Sequence, residues 1–187
     1  MTRFMIITFS AFVMLAGNCL AQQEGTNKIK EEAAMKIEVK STAFTEGGTI
    51  PKKFTCDDVD VSPALAWSRG PEGTKSWALI CDDPDAPMGT WVHWVLYDLA
   101  PEKTSLTEGV PKEKAVLGGA HQGVNGSRKI GYMGPCPPPG KPHRYFFKVY
   151  ALDFMPNWEA GKTKAEVVKA MEGHILAEGQ LMGKYGR

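Results

Sequence analysis

The segment Ser76-Trp-Ala-Leu-Ile-Cys-Asp-Asp-Pro-Asp-Ala-Pro87 does most to decide the fold of this chain. Its first half, up to Cys81, is a continuous apolar run, which is typical of a strand buried on both faces. Its second half crowds three carboxylates into a short turn whose backbone is fixed by Pro84 and Pro87. We therefore predict a buried central strand that ends directly in a rigid acidic turn.

Two more strands are predicted on either side of a long irregular stretch. The run from Trp91 to Leu99 is rich in aromatic and β-branched residues, and so is the run from Arg144 to Leu152. The residues between them, about 101–142, are rich in glycine and proline. A loop of this length inside a compact domain is usually functional or disordered, and we favour a functional role.

The end of the chain changes character from strand to helix. The segment from Thr163 to Glu166 is a capping-box signal, which predicts a helix that Gly173 can end. We interpret His174 to Met182 as a second short helix. With strands first and helices last, the chain is predicted to be mainly β, with a sandwich or barrel-like core and short C-terminal helices packed on it.

Residues 1–21 have the three-part layout of a secretory signal peptide: a basic start ending at Arg3, a short apolar core, and small residues up to Ala21. We predict cleavage after Ala21, export to the periplasm or the extracellular space, and no stable membrane insertion after processing. Lipidation at Cys19 is less favoured because Asn18, rather than a small residue, precedes it. A buried N-terminal helix is the other alternative.

Residues 22–34 are polar and are predicted to form a solvated linker before a single domain at 35–187. The chain has 22 basic and 21 acidic residues. Loss of Arg3 with the signal peptide would bring the net charge to zero. This balance argues against nucleic acid or an anionic membrane surface as the main partner.

Three cysteines follow the predicted cleavage site, and their spacing fits no zinc pattern. Cys81 ends an apolar run and is expected in the core. Cys56 and Cys136 both lie in turn-like sequence, so they are the expected disulfide pair if the chain is exported. No metal or cofactor is predicted.

Four segments carry side chains that could form a site for a small oxyanion: the acidic turn with Asp83, the strand start with Trp91 and His93, the loop from Gly134 to Gly140, and the strand start with His143 and Tyr145. Imidazole, phenol and backbone N–H groups can all donate hydrogen bonds to an anion. Each segment also has an ordinary structural interpretation. A histidine on a strand is often only semi-buried, the acidic segment can be a plain turn, and Arg144 can pair with Asp85.

In their order and spacing, these segments resemble the phosphatidylethanolamine-binding protein family, and in particular its bacterial Raf-kinase-inhibitor-like branch. The resemblance rests on Asp83-Pro-Asp-Ala-Pro87, His93-Trp94, the Gly134-Pro135 loop and His143-Arg-Tyr145, with further agreement up to Arg187. It implies a β-sandwich of two antiparallel sheets and a pocket for phosphate-like anions. The residues implied for ligand binding are Asp83, Trp91, His93, Gly134, Pro135, His143 and Tyr145.

Within that implied pocket, His93, His143 and Tyr145 would donate to the anion. Asp83 would orient a histidine or accept from a ligand amine, and Pro87, Trp91 and Pro135 would form the wall. Asp85, Pro87 and Arg144 are the residues expected to be structural. The ligand would be a small anionic or phosphorylated molecule.

Two functions of different classes remain open from the sequence. The first is a binding or inhibitory module, acting on a kinase or a protease. The second is a hydrolase of phosphate esters with His93 or His143 as general base. We favour the first, because the sequence has no motif that builds a serine or cysteine nucleophile, no metal-ligand cluster and no Walker-type loop.

Overall fold

The computed structural model of the protein describes residues 36–187, so the predicted signal peptide (1–21) and linker (22–34) lie outside the described residues. Nine strands and two short helices make up the described part. In chain order these are β1 (Val39–Lys40), a 3-10 helix (Lys52–Phe54), β2 (Leu65–Trp67), β3 (Ser76–Asp83), β4 (Trp91–Leu99), β5 (Ser105–Leu106), β6 (Ala115–Val116), β7 (Ala120–Gln122), β8 (His143–Leu152), α1 (Lys164–Met171) and β9 (Ile175–Tyr185).

The strands form two antiparallel sheets. A three-stranded sheet has the order β1-β2-β5, and a six-stranded sheet has the order β6-β7-β4-β3-β8-β9. All eight residues of β3 are buried, which confirms the strand predicted from its continuous apolar run. With β4 and β8 as neighbours, β3 lies in the middle of the large sheet and supports the strands on both sides of it.

The main core lies between the two sheets, where Trp67 of the small sheet meets Trp77 of the large one with ring centroids 5.8 Å apart. A second apolar cluster covers the other face of the large sheet, where Val167 and Met171 of α1 pack against Ile80 and Tyr97. The fold therefore has three layers: small sheet, large sheet and helix. The predicted β-sandwich of two antiparallel sheets is confirmed.

Helix α1 begins as its capping box predicts. The Thr163 side chain accepts from the Glu166 backbone N–H, and the Glu166 side chain accepts from the Thr163 N–H. Past the end of the helix, Gly173 has a φ of 79°, a left-handed conformation that glycine adopts without steric cost. Lys164 ties the first turn to the sheet through an ion pair with the buried carboxylate of Asp82.

The predicted second helix, His174 to Met182, is wrong: all of these residues except His174 belong to the long strand β9. Buried and more exposed residues alternate along β9, and it pairs with β8 from His143↔Tyr185 to Leu152↔Ile175. The buried positions thus follow a period of two rather than 3.6, and the edge of β8 supplies hydrogen bonds for a strand. The described part has one short C-terminal helix instead of two.

Earlier segments of the chain cover the outer edge of β9. The Ile37 N–H donates to the Glu178 carbonyl at 3.0 Å, and the Gly47 N–H donates to the Met182 carbonyl at 2.8 Å. Gly179 is needed for this approach, since a Cβ there would lie 1.9 Å from the Ile37 carbonyl oxygen. The backbone groups of this long edge are therefore largely paired within the chain.

The long stretch from 101 to 142 is less irregular than predicted, because it contains the short strands β5, β6 and β7. Near its end, Cys136 is joined to Cys56 in a disulfide with a Cα–Cα distance of 5.4 Å, the pair expected from the sequence. Cys81 is a free thiol in the main core, as expected. Burial raises its pKa well above the ordinary value.

Candidate functional site

The predicted site residues meet where three neighbouring strands of the large sheet begin or end. Asp83 is the last residue of β3 and lies opposite Trp91, the first residue of β4. On the other side of β3, Asp82 lies opposite Phe146, so His143 and Tyr145 at the start of β8 are beside the same turn. The antiparallel order β4-β3-β8 thus brings together segments that are up to 60 residues apart in sequence.

A β-bulge in β4 directs His93 into this group. Cys81 pairs with Trp94 and Asp82 pairs with Val92, so His93 is an extra residue between the two pairs. Trp94 joins the main core between the sheets, whereas Val92 packs against the cluster near α1. The imidazole of His93 lies edge-to-face with the ring of Tyr145, with centroids 5.1 Å apart.

His143 and Asp83 form the central hydrogen bond of the site. His143 Nδ1 lies 2.8 Å from Asp83 Oδ2, and the other carboxylate oxygen accepts from the Asp85 N–H at 2.8 Å. Since a carboxylate accepts, Nδ1 of His143 carries the proton and Nε2 is the nitrogen left for a ligand. Asp83 was expected either to orient a histidine or to accept from a ligand amine, and this hydrogen bond fits the first of these roles.

Asp85 and Arg144 hold the turn next to this pair. Arg144 donates through Nε and Nη2 to the two carboxylate oxygens of Asp85, each at 2.8 Å, and its backbone N–H donates to the same group. These bonds lower the pKa of Asp85 to about 2. The bidentate pair fastens the turn after β3 to the start of β8, which is the structural role expected from the sequence.

His93 is held by a backbone carbonyl instead of a carboxylate. Its Nδ1 lies 2.7 Å from the carbonyl oxygen of Met133, so Nδ1–H donates and Nε2 remains for a ligand. The side chain is almost completely buried, and burial lowers the pKa of His93 despite the opposing effect of the Met133 carbonyl. In the neutral ring Nε2 accepts a hydrogen bond, so His93 donates to an anion only when it gains a proton.

One buried donor in this group, the hydroxyl of Tyr145, finds no hydrogen-bond partner among the described residues. Nε1 of Trp91 also has none there, but the Trp91 ring packs against Gly126. Tyr145 has 0% exposure, and burial raises the pKa of its hydroxyl strongly. A buried polar group without a partner costs about 1–3 kcal/mol, so such groups are uncommon in folded proteins. One more, Nε1 of Trp67, lies in the main core. The Tyr145 hydroxyl, beside His93, is suited to an incoming acceptor.

The loop residues Gly134 and Pro135 have structural partners. The N–H of Gly134 donates to Oδ1 of Asp60 at 2.6 Å, so this backbone donor, which was expected to be available to an anion, is already engaged. The Pro135 carbonyl accepts from the Cys56 N–H at 3.1 Å. A Cβ at position 134 would lie 2.4 Å from the Phe54 carbonyl oxygen, so this close approach requires glycine.

Pro87, which was expected to line the wall, is exposed on the turn between β3 and β4, and it does not join the buried group. Elsewhere, a groove of about 400 Å³ lies beside α1, lined by Trp158, Lys162, Glu166, Lys169 and Ala170. It contains none of the predicted site residues. We give more weight to the buried cluster of Asp83, His93, His143 and Tyr145, because it concentrates polar groups with unused hydrogen-bonding capacity.

Two residues that support the site through hydrogen bonds, Met133 and Asp60, were not predicted from the sequence. Met133 acts through its main chain: its carbonyl accepts from His93 Nδ1 and its N–H donates to the His93 carbonyl at 2.9 Å, and no side-chain pattern reveals such a role. Asp60 has a φ of 59° and binds both Gly134 and Lys112; an acidic residue closing a polar turn was its only signal. Within residues 36–187, no group of three or more histidine, cysteine or acidic side chains could hold a metal ion.

The family model described as phosphatidylethanolamine-binding protein matches residues 40–186. Because the match covers most of the chain, the protein belongs to the phosphatidylethanolamine-binding protein family. A UPF0098 protein of Methanothermobacter thermautotrophicus is 48% identical over 151 residues, which are 81% of this chain and 99% of that relative. The similar proteins come from bacteria and archaea and define the UPF0098/YbcL-like branch of the family.

Two solved structures share the fold. A phosphatidylethanolamine-binding protein homologue of Chlamydia trachomatis, CT736, is 42% identical with a TM-score of 0.74, and the match covers 81% of this chain and 98% of that one. Escherichia coli YbcL is 32% identical with a TM-score of 0.75, and the match covers 81% and 99%. No helix within the described residues has the length and apolar character needed to cross a membrane.

Proposed function

We propose that the protein is a binding module for a small oxyanion, such as phosphate or a phosphorylated head group, held by His93, His143 and Tyr145. The observation that carries this proposal is the buried Tyr145 hydroxyl, which lies beside His93 and has no partner among the described residues. An anion that accepts from this hydroxyl removes the cost of burying it unpaired.

The two histidines favour an anion that brings or gains a proton. In its neutral state, each ring donates through Nδ1 to the protein, so each Nε2 accepts. Monohydrogen phosphate can donate its own O–H to one Nε2 and accept from Tyr145. Protonation of His143 beside the Asp83 carboxylate gives an imidazolium that donates to the anion directly.

We propose binding rather than catalysis as the function of this site. We also propose that the protein is exported and that it inhibits a kinase or a protease. Binding of a small anion by a few groups is expected to be weak, because a small ligand offers few contacts.

The competing function is hydrolysis of a phosphate ester with His93 or His143 as general base. It is tested with p-nitrophenyl phosphate: steady release of nitrophenol that is lost in His143→Ala favours the hydrolase.

Calorimetric titration with inorganic phosphate and with O-phosphoethanolamine tests the site directly. We expect His143→Ala to weaken binding roughly 5- to 150-fold, as loss of one desolvated hydrogen bond worth about 1–3 kcal/mol predicts. His93→Ala should weaken it as well. The matched control is His174→Ala, which also removes a histidine hydrogen-bonded to an aspartate, at 2.8 Å from Asp153, but on an exposed surface.

The shape-conserving variant Tyr145→Phe guards against loss of folding in the histidine variants. Equal phosphate affinity in the wild type, His143→Ala and Tyr145→Phe would show that these groups do not form the site. A loss of affinity in His174→Ala as large as that in His143→Ala would also contradict the proposal, because it would point to a general charge effect.

A further inference from the structure

A second polar group surrounds the Cys56–Cys136 disulfide. Arg187 places its Nη2 atom 3.1 Å from Cys56 Sγ and 3.4 Å from Cys136 Sγ. Asp57 fixes this guanidinium, accepting from Nη2 at 2.6 Å and from Nε at 3.0 Å, and Tyr185 donates to the same carboxylate at 2.6 Å. The cation is therefore held against both sulfur atoms and lies nearer to Cys56 Sγ than the carboxylate does, at 3.1 Å compared with 3.9 Å for Asp57 Oδ1.

The anchor of this cation persists over a wide pH range. Hydrogen bonds from Arg187 and Tyr185 lower the pKa of Asp57 to about 2, so the carboxylate stays ionised under ordinary conditions. Arginine itself keeps its charge. A positive charge next to a cysteine sulfur favours the thiolate, and a thiol with a lower pKa leaves faster in disulfide exchange.

The two sulfurs differ in accessibility: Cys136 is exposed, whereas Cys56 is half-buried and has the shorter contact with Arg187. We propose that this disulfide is a thiol–disulfide exchange site, at which a dithiol reductant attacks Cys136 and Arg187 stabilises the Cys56 thiolate that leaves. The proposal does not depend on anion binding at the His93–His143 site.

The exchange proceeds in two balanced steps. A thiolate of the reductant forms a bond to Cys136 Sγ, and the Cys56–Cys136 bond breaks with its electron pair remaining on Cys56, next to Arg187. The second thiol of the reductant then displaces Cys136 from the mixed disulfide. The reductant loses two electrons and becomes an internal disulfide, and its two protons are transferred to the two cysteines or to water.

Exchange at this position would release one end of the loop from Gly134 to Gly140. The disulfide joins that loop to the segment after the 3-10 helix, where the Cys56 N–H also donates to the Pro135 carbonyl. The carbonyl that holds His93 belongs to Met133, three residues before Cys136. A reductant would thus act on the same loop that supports one of the two histidines.

The test measures the rate of reduction by dithiothreitol in the full chain, with each cysteine followed by alkylation and peptide mass spectrometry. We expect Arg187→Gln to slow reduction about threefold or more. This figure assumes that loss of the arginine raises the pKa of the leaving Cys56 thiol by about one unit, and that the rate depends on the leaving thiol as strongly as it does on an attacking thiol. The matched control, Arg69→Gln, removes the same charge from an exposed position just after β2 and should leave the rate unchanged. High salt should reduce the difference between wild type and Arg187→Gln.

Two further measurements separate the roles of the sulfurs. Glutathione, a monothiol, should be trapped on Cys136 in the mixed disulfide. In Cys136→Ser, Cys56 should react with iodoacetamide at pH 7 faster than it does in the double variant Cys136→Ser/Arg187→Gln. Reduction of Arg187→Gln at a rate equal to or above that of the wild type would overturn the proposal, since the arginine would then be inert or only a shield. Glutathione attached to Cys56 would overturn it as well.

Discussion

Replacing Tyr145 with phenylalanine should make the ligand-free protein more stable, which is unusual for a change in a buried core. The hydroxyl has no partner among the described residues, and removing it recovers the cost of about 1–3 kcal/mol of burying it unpaired. The void left by one oxygen atom costs about 0.3–0.5 kcal/mol. The free energy of unfolding should therefore rise by about 0.5–2.5 kcal/mol, which corresponds to a few degrees in Tm.

Tyr132 provides a control of opposite sign within the same core. It is equally buried, but its hydroxyl donates to the Phe54 carbonyl at 2.8 Å. Tyr132→Phe leaves that carbonyl without its partner and should lower the free energy of unfolding by about 1–3 kcal/mol. Urea denaturation at pH 7 in a phosphate-free buffer measures both changes, and the slope of the transition shows whether the unfolded states are comparable.

Phosphate titration of the same two variants completes the test. Tyr145→Phe should bind phosphate roughly 10- to 150-fold more weakly, as expected for loss of a hydrogen bond to a charged group, whereas Tyr132→Phe should bind it normally. If Tyr145→Phe is destabilised as much as Tyr132→Phe, the hydroxyl has a partner in the folded protein. Tyr145 would then offer no unpaired hydroxyl to a ligand.

Three other outcomes follow from the structure. Burial lowers the pKa of His93, so at mildly acidic pH the unfolded chain binds a proton more readily than the folded protein does. The free energy of unfolding should therefore fall as the pH drops below about 6.5, by up to ~1.4 kcal/mol per pH unit. In His93→Gln, urea denaturation at several pH values should lack the part of this pH dependence that is due to His93. Gly134→Ala should lower Tm markedly in thermal unfolding, because its Cβ would lie 2.4 Å from the Phe54 carbonyl oxygen; a Tm equal to that of the wild type would contradict the packing argument. N-terminal sequencing of protein from its native host should begin at Gln22, and recovery of the full-length chain would refute export by this route.

The strand pattern was predictable where local composition and tertiary environment agree. The stretches that became β3 and β4 were recognised nearly to the residue, because an apolar run and an aromatic, β-branched run both favour burial in a sheet. The segment from His174 to Met182 was misassigned because its apolar residues, at 175–177, 181 and 182, follow neither a helical period nor a strand period clearly. The edge of β8 resolves that ambiguity, since it pairs with β9 over ten residue pairs.

Within the site, the sequence identified the side chains, whereas their hydrogen-bonding state came from the structure. The motif order indicated that His93, His143 and Tyr145 belong together. It did not reveal that the Gly134 N–H is used by Asp60, or that a main-chain carbonyl fixes the tautomer of His93. These partners are backbone atoms or distant side chains, so no local pattern encodes them.

By itself, the sequence determined which segments could be strands, where α1 begins and which polar residues are grouped at strand ends, because these properties depend on the chain within a few residues. Only the tertiary structure decided that β3 lies between β4 and β8, that a bulge turns His93 toward Tyr145, and that Arg187 lies against a disulfide. Those contacts join residues up to 131 positions apart. They form because sheet pairing and core packing stabilise contacts between distant segments. Local propensity cannot specify such contacts, since it depends only on neighbouring residues.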